Sequence, residues 1–87
     1  MAKHVKMMMW DTCPYCKQAI KMIEQLRQEH PEYRDVAIEM IEVRKHPELA
    51  KGYTFEYVPS IYVDDEKMLD GVPSVALIDA VFQKALS

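Results

Sequence analysis

The two cysteines of the chain, Cys13 and Cys16, are separated by only two residues. A disulfide across so short a loop constrains the unfolded chain very little, so stability is a poor reason for the pair. In a compartment that keeps thiols reduced, closely paired cysteines usually carry out redox chemistry or bind a metal. A structural zinc site needs four ligands. The histidines, which share no ligand-like spacing, are His4, His30 and His46. The pair therefore favours redox chemistry.

The residues around the pair predict the start of a helix. Pro14 suits the first helical position, where its missing N–H costs nothing, and apolar residues then recur at helical spacing until Pro31 ends the element. Cys13 becomes the N-cap, with its sulfur facing the free N–H groups of Tyr15 and Cys16. Those amides and the helix dipole favour the thiolate. Cys16 lies on the core-facing side, so we expect Cys13 to attack a substrate disulfide and Cys16 to resolve the mixed disulfide.

Charged neighbours act on the pair in opposite directions. Asp11 precedes Cys13 by two residues and would raise the pKa of its thiol, whereas Lys17 would lower it. The spacing does not order these two effects, and a solvated loop and helix face explain both residues as well. Tyr15 is expected to be exposed at the helix start, where it would contact partners.

Hydrophobic patterning predicts the element order β-α-β-α-β-β-α. The first strand is apolar on both faces and leads into the cysteine pair, and the first βαβ unit should be parallel with a right-handed crossover. An α/β fold results, with helices on both faces of one sheet. The predicted strands span residues 5–10, 36–43, 60–63 and 67–69, and the predicted helices span 14–30, 46–52 and 73–86.

Length and composition exclude several function classes. With 87 residues the chain can bury one small core, and we expect a single domain over residues 1–87. Eleven Lys and Arg residues against fourteen Asp and Glu residues give a charge of −3, so nucleic acid and anionic membranes are poor partners. Two glycines cannot build a phosphate-binding loop, and no apolar run could span a membrane. Because no signal-peptide core is apparent, we expect the protein to be cytoplasmic. We also expect a monomer, as is usual for a small soluble carrier.

The segment Cys13-Pro14-Tyr15-Cys16, which follows an apolar strand and opens a helix, resembles the active site of the glutaredoxins. Val58-Pro59, ahead of the third strand, resembles their cis-proline strand. The element order is similar to a minimal thioredoxin-like fold, a four-stranded mixed sheet flanked by three helices. The resemblance implies a thiol–disulfide oxidoreductase in which Pro59 is cis and lies near the attacking Cys13. It also implies substrate-binding residues around the pair, namely Thr12, Pro14, Tyr15, Tyr57, Val58, Pro59 and Gly71.

Three positions depart from the glutaredoxin pattern. Trp10 replaces the Lys or Arg three residues before the first cysteine, Tyr57 replaces the usual Thr, and the acidic residue expected after Gly71 is missing. Glutathione would therefore meet few cations, and N–H groups at the start of the last helix could bind its carboxylate. We expect no tightly bound cofactor and treat glutathione as a candidate co-substrate. The expected partners are disulfide-containing proteins, with glutathione or a thioredoxin-type reductase as electron donor.

Two other functions are compatible with the sequence. Two chains could each supply Cys13 thiolates to an iron–sulfur cluster or a zinc ion in a dimer, with no metal held by one chain alone. Pro14 opposes this arrangement because both cysteines of a short loop would have to turn outward. The third function is a redox-inactive interaction domain, against which the intact cysteine pair argues.

Overall fold

The structure is a computed structural model that describes residues 2–87. It contains four strands and two α-helices. In chain order they are β1 (Val5–Met9), α1 (Pro14–Glu29), β2 (Ile38–Glu42), β3 (Ser60–Val63), β4 (Glu66–Asp70) and α2 (Val75–Leu86). Short 3₁₀ helices span Pro31–Asp35 and Pro47–Ala50. Within the described residues, no helix has the length and apolar character needed to cross a membrane.

The strands form one mixed sheet in the order β2-β1-β3-β4. β1 runs parallel to β2, with Val5 opposite Ile38, and antiparallel to β3, with Met7 opposite Ile61. β3 and β4 form the antiparallel hairpin at the other edge. The predicted four-stranded mixed sheet is therefore confirmed, and β2 is an outer strand as predicted.

Both α-helices pack in the same layer. The apolar stripes of α1 and α2 share one buried core with alternate residues of the central strands, among them Val5 and Met7 of β1. The stripe of α1 carries Cys16, Ala19, Ile23 and Leu26, and that of α2 carries Ile78, Val81, Phe82 and Ala85. For α1 the helical periodicity thus identified the buried face correctly.

Among the described residues, none forms an α-helix on the opposite face of the sheet, which corrects the prediction of three helices with helices on both faces. Met8, Ile41 and Tyr62 form a second buried cluster there, covered by the segment that contains Ala50 and Tyr53. The helix predicted over residues 46–52 is only a four-residue 3₁₀ helix, Pro47–Ala50. Its turns are closed by bonds to the residue three positions back, from the Leu49 N–H to the His46 carbonyl and from the Tyr53 N–H to the Ala50 carbonyl, as in a 3₁₀ helix.

Two chain segments lie side by side at the edge of the sheet where the parallel strands β1 and β2 both end. β1 ends at Met9, one residue before the predicted end, and Trp10 leaves the sheet to become 40 % exposed. Because β1 and β2 are parallel, the loop that follows β1 and the residues that follow Glu42 emerge at the same edge. The start of α1, and with it the cysteine pair, lies at this edge.

Candidate active site

Cys13 is the N-cap of α1, and Pro14 is the first helical residue, as the sequence predicts. The backbone of Cys13 is extended, with φ −82° and ψ 121°, which turns the Cys13 side chain toward the open end of the helix. Cys13 is partly exposed, whereas Cys16 one turn later is fully buried in the main core. The predicted inequality of the two thiols in exposure is therefore confirmed.

The pKa of the Cys13 thiol lies below its ordinary value of 9.0. Burial on its own would raise this pKa. The backbone N–H of Cys16, the Cys16 thiol, the N–H of Tyr15 and the Arg44 guanidinium together lower it by more than burial raises it. The sulfur makes no capping hydrogen bond of full geometry. The amides therefore favour the thiolate through the direction of their dipoles.

The pKa of the Cys16 thiol moves in the opposite direction. This pKa rises to about 12, mainly through burial; the hydrogen bond and charge of Cys13 and the charge of Glu42 add to the rise, and a backbone hydrogen bond from Trp10 opposes it. Cys16 consequently stays protonated over the range in which Cys13 ionises. The two sulfurs are electronically suited to different steps.

The two charged neighbours considered from the sequence, Asp11 and Lys17, are both exposed, in agreement with a solvated loop and helix face. Asp11 forms an ion pair with Lys45, with 2.6 Å between carboxylate oxygen and ammonium nitrogen, and Lys17 is exposed on α1. The charged groups that shift the pKa values of the cysteines are Arg44 for Cys13 and Glu42 for Cys16. Sequence reasoning missed both because they are about 30 residues away in the chain and only the pairing of β1 with β2 brings them to the site.

Glu42 is a buried carboxylate at the end of β2, with 9 % of its surface exposed. It accepts hydrogen bonds from the backbone N–H groups of Asp11 and Arg44, each at 2.8 Å. The N–H of Asp11 is the main reason that the pKa of Glu42 falls to about 2; burial opposes the shift and Arg44 adds to it. The signal in the sequence was the parity of Glu39 and Glu42, which cannot both face solvent in a regular strand.

The loop before β3 closes the site on the other side of Cys13. The Val58–Pro59 peptide bond is cis, as the resemblance implies, and Pro59 is fully buried. The Cys13 sulfur lies 3.8 Å from the Val58 carbonyl oxygen, to which its thiol can donate. The N–H of Gly71 donates to the Pro59 carbonyl at 2.9 Å, which joins the end of β4 to this loop.

Two adjoining cavities flank this loop. The first, about 330 Å³, is lined by Tyr15, Tyr57, Val58, Asp70, Gly71 and Val72. The second, about 180 Å³, contains Cys13 and is lined also by Trp10, Phe55, Glu56, Tyr57 and Val58. Most of the residues expected to bind substrate, Tyr15, Tyr57, Val58 and Gly71, therefore meet around one groove. Pro14 directly follows Cys13 at the start of α1. Thr12 directly precedes Cys13, and its hydroxyl accepts a hydrogen bond from Arg44.

Asp70 is a further residue at this groove that the sequence did not single out. Its carboxylate accepts from the N–H of Glu56 at 3.1 Å and from that of Tyr57 at 2.9 Å, and it forms an ion pair with Lys67 at 3.1 Å. Burial opposes its ionisation, yet the two amides and Lys67 hold its pKa below the ordinary value. Asp70 thus holds the backbone of the groove wall in place.

Residues 2–87 bring no three side chains of the His, Cys, Asp or Glu type into one cluster that could hold a metal ion. A metal bound through Cys13 would therefore take further ligands from a second chain or from small thiols.

Comparison with known proteins agrees with this geometry. The sequence profile of the thioredoxin domain matches residues 3–83. A protein of Methanocaldococcus jannaschii described as thioredoxin is 31 % identical over 70 residues, which cover 79 % of this chain and 80 % of that protein. The chain belongs to the thioredoxin family.

Solved structures show the same fold for this thioredoxin-family protein. Reduced desulfothioredoxin from Desulfovibrio vulgaris Hildenborough superposes with a TM-score of 0.67 at 23 % identity, over 95 % of this chain and 81 % of that one. A structure described as a malarial protein gives a TM-score of 0.71 at 15 % identity, over the full length of both chains. These similarities establish a thioredoxin-like α/β fold. This fold class is broader than the glutaredoxin family that the sequence resembles.

Proposed function

We propose that this thioredoxin-family protein is a dithiol–disulfide oxidoreductase that reduces protein disulfides. One observation carries the proposal: a partly exposed thiol of lowered pKa at a helix N-terminus stands in front of a buried thiol whose pKa is raised to about 12. A structural pair would have no need of two thiols so different in acidity. The family membership agrees with this chemistry.

The reaction proceeds in two exchanges of sulfur bonds. The Cys13 thiolate attacks one sulfur of the substrate disulfide, that S–S bond breaks, and the departing substrate thiolate takes up a proton from solvent. Cys16 then loses its proton and attacks the Cys13 sulfur, which releases the second substrate thiol. The substrate has gained two electrons and two protons, and the protein holds a Cys13–Cys16 disulfide. A dithiol donor, or two thiols, returns it to the reduced form.

The surface around Cys13 suits a polypeptide substrate. Tyr57 and Val72 are each more than 60 % exposed, and Trp10 and Tyr15 add two further exposed aromatic rings beside the groove. Exposed apolar side chains next to a reactive group are typical of a contact surface for a protein. A thioredoxin-type reductase would be the matching electron donor, and a cytoplasmic monomer is the form we propose for the protein.

Insulin reduction tests the proposal. The protein should accelerate precipitation of the insulin B chain when dithiothreitol, or NADPH with a thioredoxin reductase, supplies the electrons. Cys13→Ser should abolish the acceleration. Cys16→Ser should also stop turnover but accumulate a mixed disulfide between Cys13 and the substrate, visible by mass spectrometry. Absence of activity in the unaltered protein with both electron sources, at full thiol content, would overturn the proposal.

A second candidate activity is reduction of glutathione mixed disulfides. The cavity of about 330 Å³ beside Cys13, with Gly71 and Val58 in its wall, has room for a small peptide thiol. The assay is turnover of a glutathionylated substrate with glutathione and glutathione reductase, and Cys16→Ser should retain activity there because glutathione itself resolves the intermediate. If turnover is found with thioredoxin reductase and not with glutathione, this second activity is excluded.

A further inference from the structure

The loop before Cys13 contains a carboxylate and no cation, yet a cation reaches it from β2. Trp10 occupies the position three residues ahead of Cys13, and Asp11 follows it. Arg44 lies two residues beyond the end of β2, and the parallel pairing of β1 and β2 brings it to the same edge. Arg44 therefore brings to this loop the positive charge that the loop's own sequence lacks.

Three contacts define where the Arg44 guanidinium lies. It donates to the Thr12 hydroxyl at 3.0 Å, it stands over the Trp10 ring at 5.0 Å from the ring centre, and it forms an ion pair with Glu42 at 3.3 Å. The first two contacts are to the residue next to Cys13 and to the start of the same loop. A planar guanidinium can stack on the ring and donate from its edge at once, which an ammonium cannot do.

We propose that Arg44 is a positioning residue for the Cys13 thiolate, held over Trp10 and against Thr12 by the buried carboxylate of Glu42. The proposal rests on the proposed disulfide reductase function and explains how the attacking sulfur is kept ionised without a cation in its own loop. Glu42 lies deeper than Arg44, with 9 % against 50 % of the side chain exposed. The cation of the pair thus lies toward the entrance of the site and the anion toward the core.

This orientation makes the ion pair act differently on the two cysteines. Arg44 contributes to the lowered pKa of Cys13, whereas Glu42 contributes to the raised pKa of Cys16. A pair placed the other way round would make the two thiols more alike. The other ionisable groups around Cys13 are Asp11 with its partner Lys45, Tyr15 and Lys17 in the first turns of α1, and Glu56 and Tyr57 in the wall of the cavity that contains the sulfur.

The test is the pH dependence of Cys13 alkylation by iodoacetamide, followed by mass spectrometry of the Cys13 peptide. Arg44→Gln should shift the profile to higher pH and slow alkylation near neutral pH by about two- to fivefold, as expected for a half-exposed charge near the sulfur. Arg44→Lys should recover part of the shift. The matched control is Lys51→Gln, which removes an exposed cation beside a separate cavity lined by Tyr53 and Tyr62 and should leave the profile unchanged.

Two further readouts separate a charge effect from a change in structure. The difference between Arg44→Gln and the unaltered protein should shrink in about 0.5 M sodium chloride, where charges are screened within a few ångströms. The reduction potential of the Cys13–Cys16 pair should become more negative in Arg44→Gln, because the reduced thiolate form loses a stabilising charge. Circular dichroism melting confirms that each variant is folded before these measurements.

An unchanged alkylation profile in folded Arg44→Gln would overturn the proposal. Equal shifts in Arg44→Gln and Lys51→Gln would also overturn it, because net charge rather than placement would then be responsible. The alkylation readout concerns the thiol alone and needs no disulfide substrate. Failure here with normal insulin reduction therefore rejects the role of Arg44, whereas a normal shift without insulin reduction rejects the proposed function.

Discussion

The Cys13 sulfur lies 3.8 Å from the Val58 carbonyl oxygen, and Cys16 lies behind it with no exposed surface. A disulfide from outside can therefore reach only Cys13, along the groove wall that Val58 helps to form. Cys16 has access to a substrate only through the bond that Cys13 has already made. The order of the two steps is thus imposed by position as well as by acidity.

We expect the two cysteines to differ strongly in alkylation rate in the folded, reduced protein. A thiol whose pKa is raised from 9.0 to about 12 carries roughly a thousandth of the thiolate at neutral pH, so Cys16 should react about a thousandfold more slowly than an ordinary thiol. Cys13 should react faster than an ordinary thiol because its pKa is lowered. Peptide mass spectrometry after timed iodoacetamide treatment gives both rates, and unfolding in guanidinium chloride serves as the control in which they converge.

Stability at acid pH should depend on Glu42. Its folded pKa of about 2 lies below the ordinary 4.5, so the carboxylate stabilises the fold above pH 4.5, and this contribution is lost as the pH falls through about 2. Glu42→Gln should therefore lower the melting temperature at neutral pH, with a difference from the unaltered protein that disappears toward the acid end. Glu39→Gln, an exposed position in the same strand, is the control and should show a much smaller effect. Equal losses in both variants would contradict the role of the buried site.

Removal of the Asp70 carboxylate should weaken substrate binding without changing thiol acidity. Asp70→Ala leaves the solvent-accessible N–H groups of Glu56 and Tyr57 without their acceptor, so we expect a loss of about 0.5–1.5 kcal/mol in the free energy of unfolding. The KM for insulin should rise, because the groove wall is less well held, while the pH profile of Cys13 alkylation stays the same. Asp65→Ala in the exposed β3–β4 turn is the control, and an unaltered KM in Asp70→Ala would refute the positioning role.

The buried hydroxyl of Tyr33 should contribute to stability far from the site. It donates to the Asp79 carboxylate and accepts from the Gln83 amide, each at 2.6 Å, while its ring stacks on Phe82. Tyr33→Phe keeps the stacking and should cost about 1–2 kcal/mol in the free energy of unfolding, measured by urea denaturation. Tyr57→Phe, the same change at a mostly exposed ring, should leave the free energy of unfolding nearly unaltered. A similar cost in both variants would show that the hydrogen bonds of Tyr33 are not responsible.

Much of the fold was predictable because its signals are local. The helical spacing of apolar residues and Pro14 at the first position placed α1 to within a residue of its observed end. The prediction over residues 46–52 was wrong in type because it relied on Pro47 and Gly52 as helix ends. Those two residues are equally compatible with a 3₁₀ turn, which is the form that the chain takes, and the sheet face beneath it needs only a few apolar side chains for cover.

The candidate site likewise has features that local sequence predicts and features that it does not. The nucleophile, its N-cap position and the burial of Cys16 follow from residues within one helical turn of each other. Such short-range geometry is determined by the local sequence. The roles of Glu42 and Arg44 do not follow from that order. Asp11 and Glu42, whose hydrogen bond joins the site loop to β2, are 31 residues apart in the chain, and only the parallel register of two strands brings them together. Local chemistry could be inferred from the chain alone, whereas the electrostatic setting of the two sulfurs depended on long-range packing, which neighbouring residues do not encode.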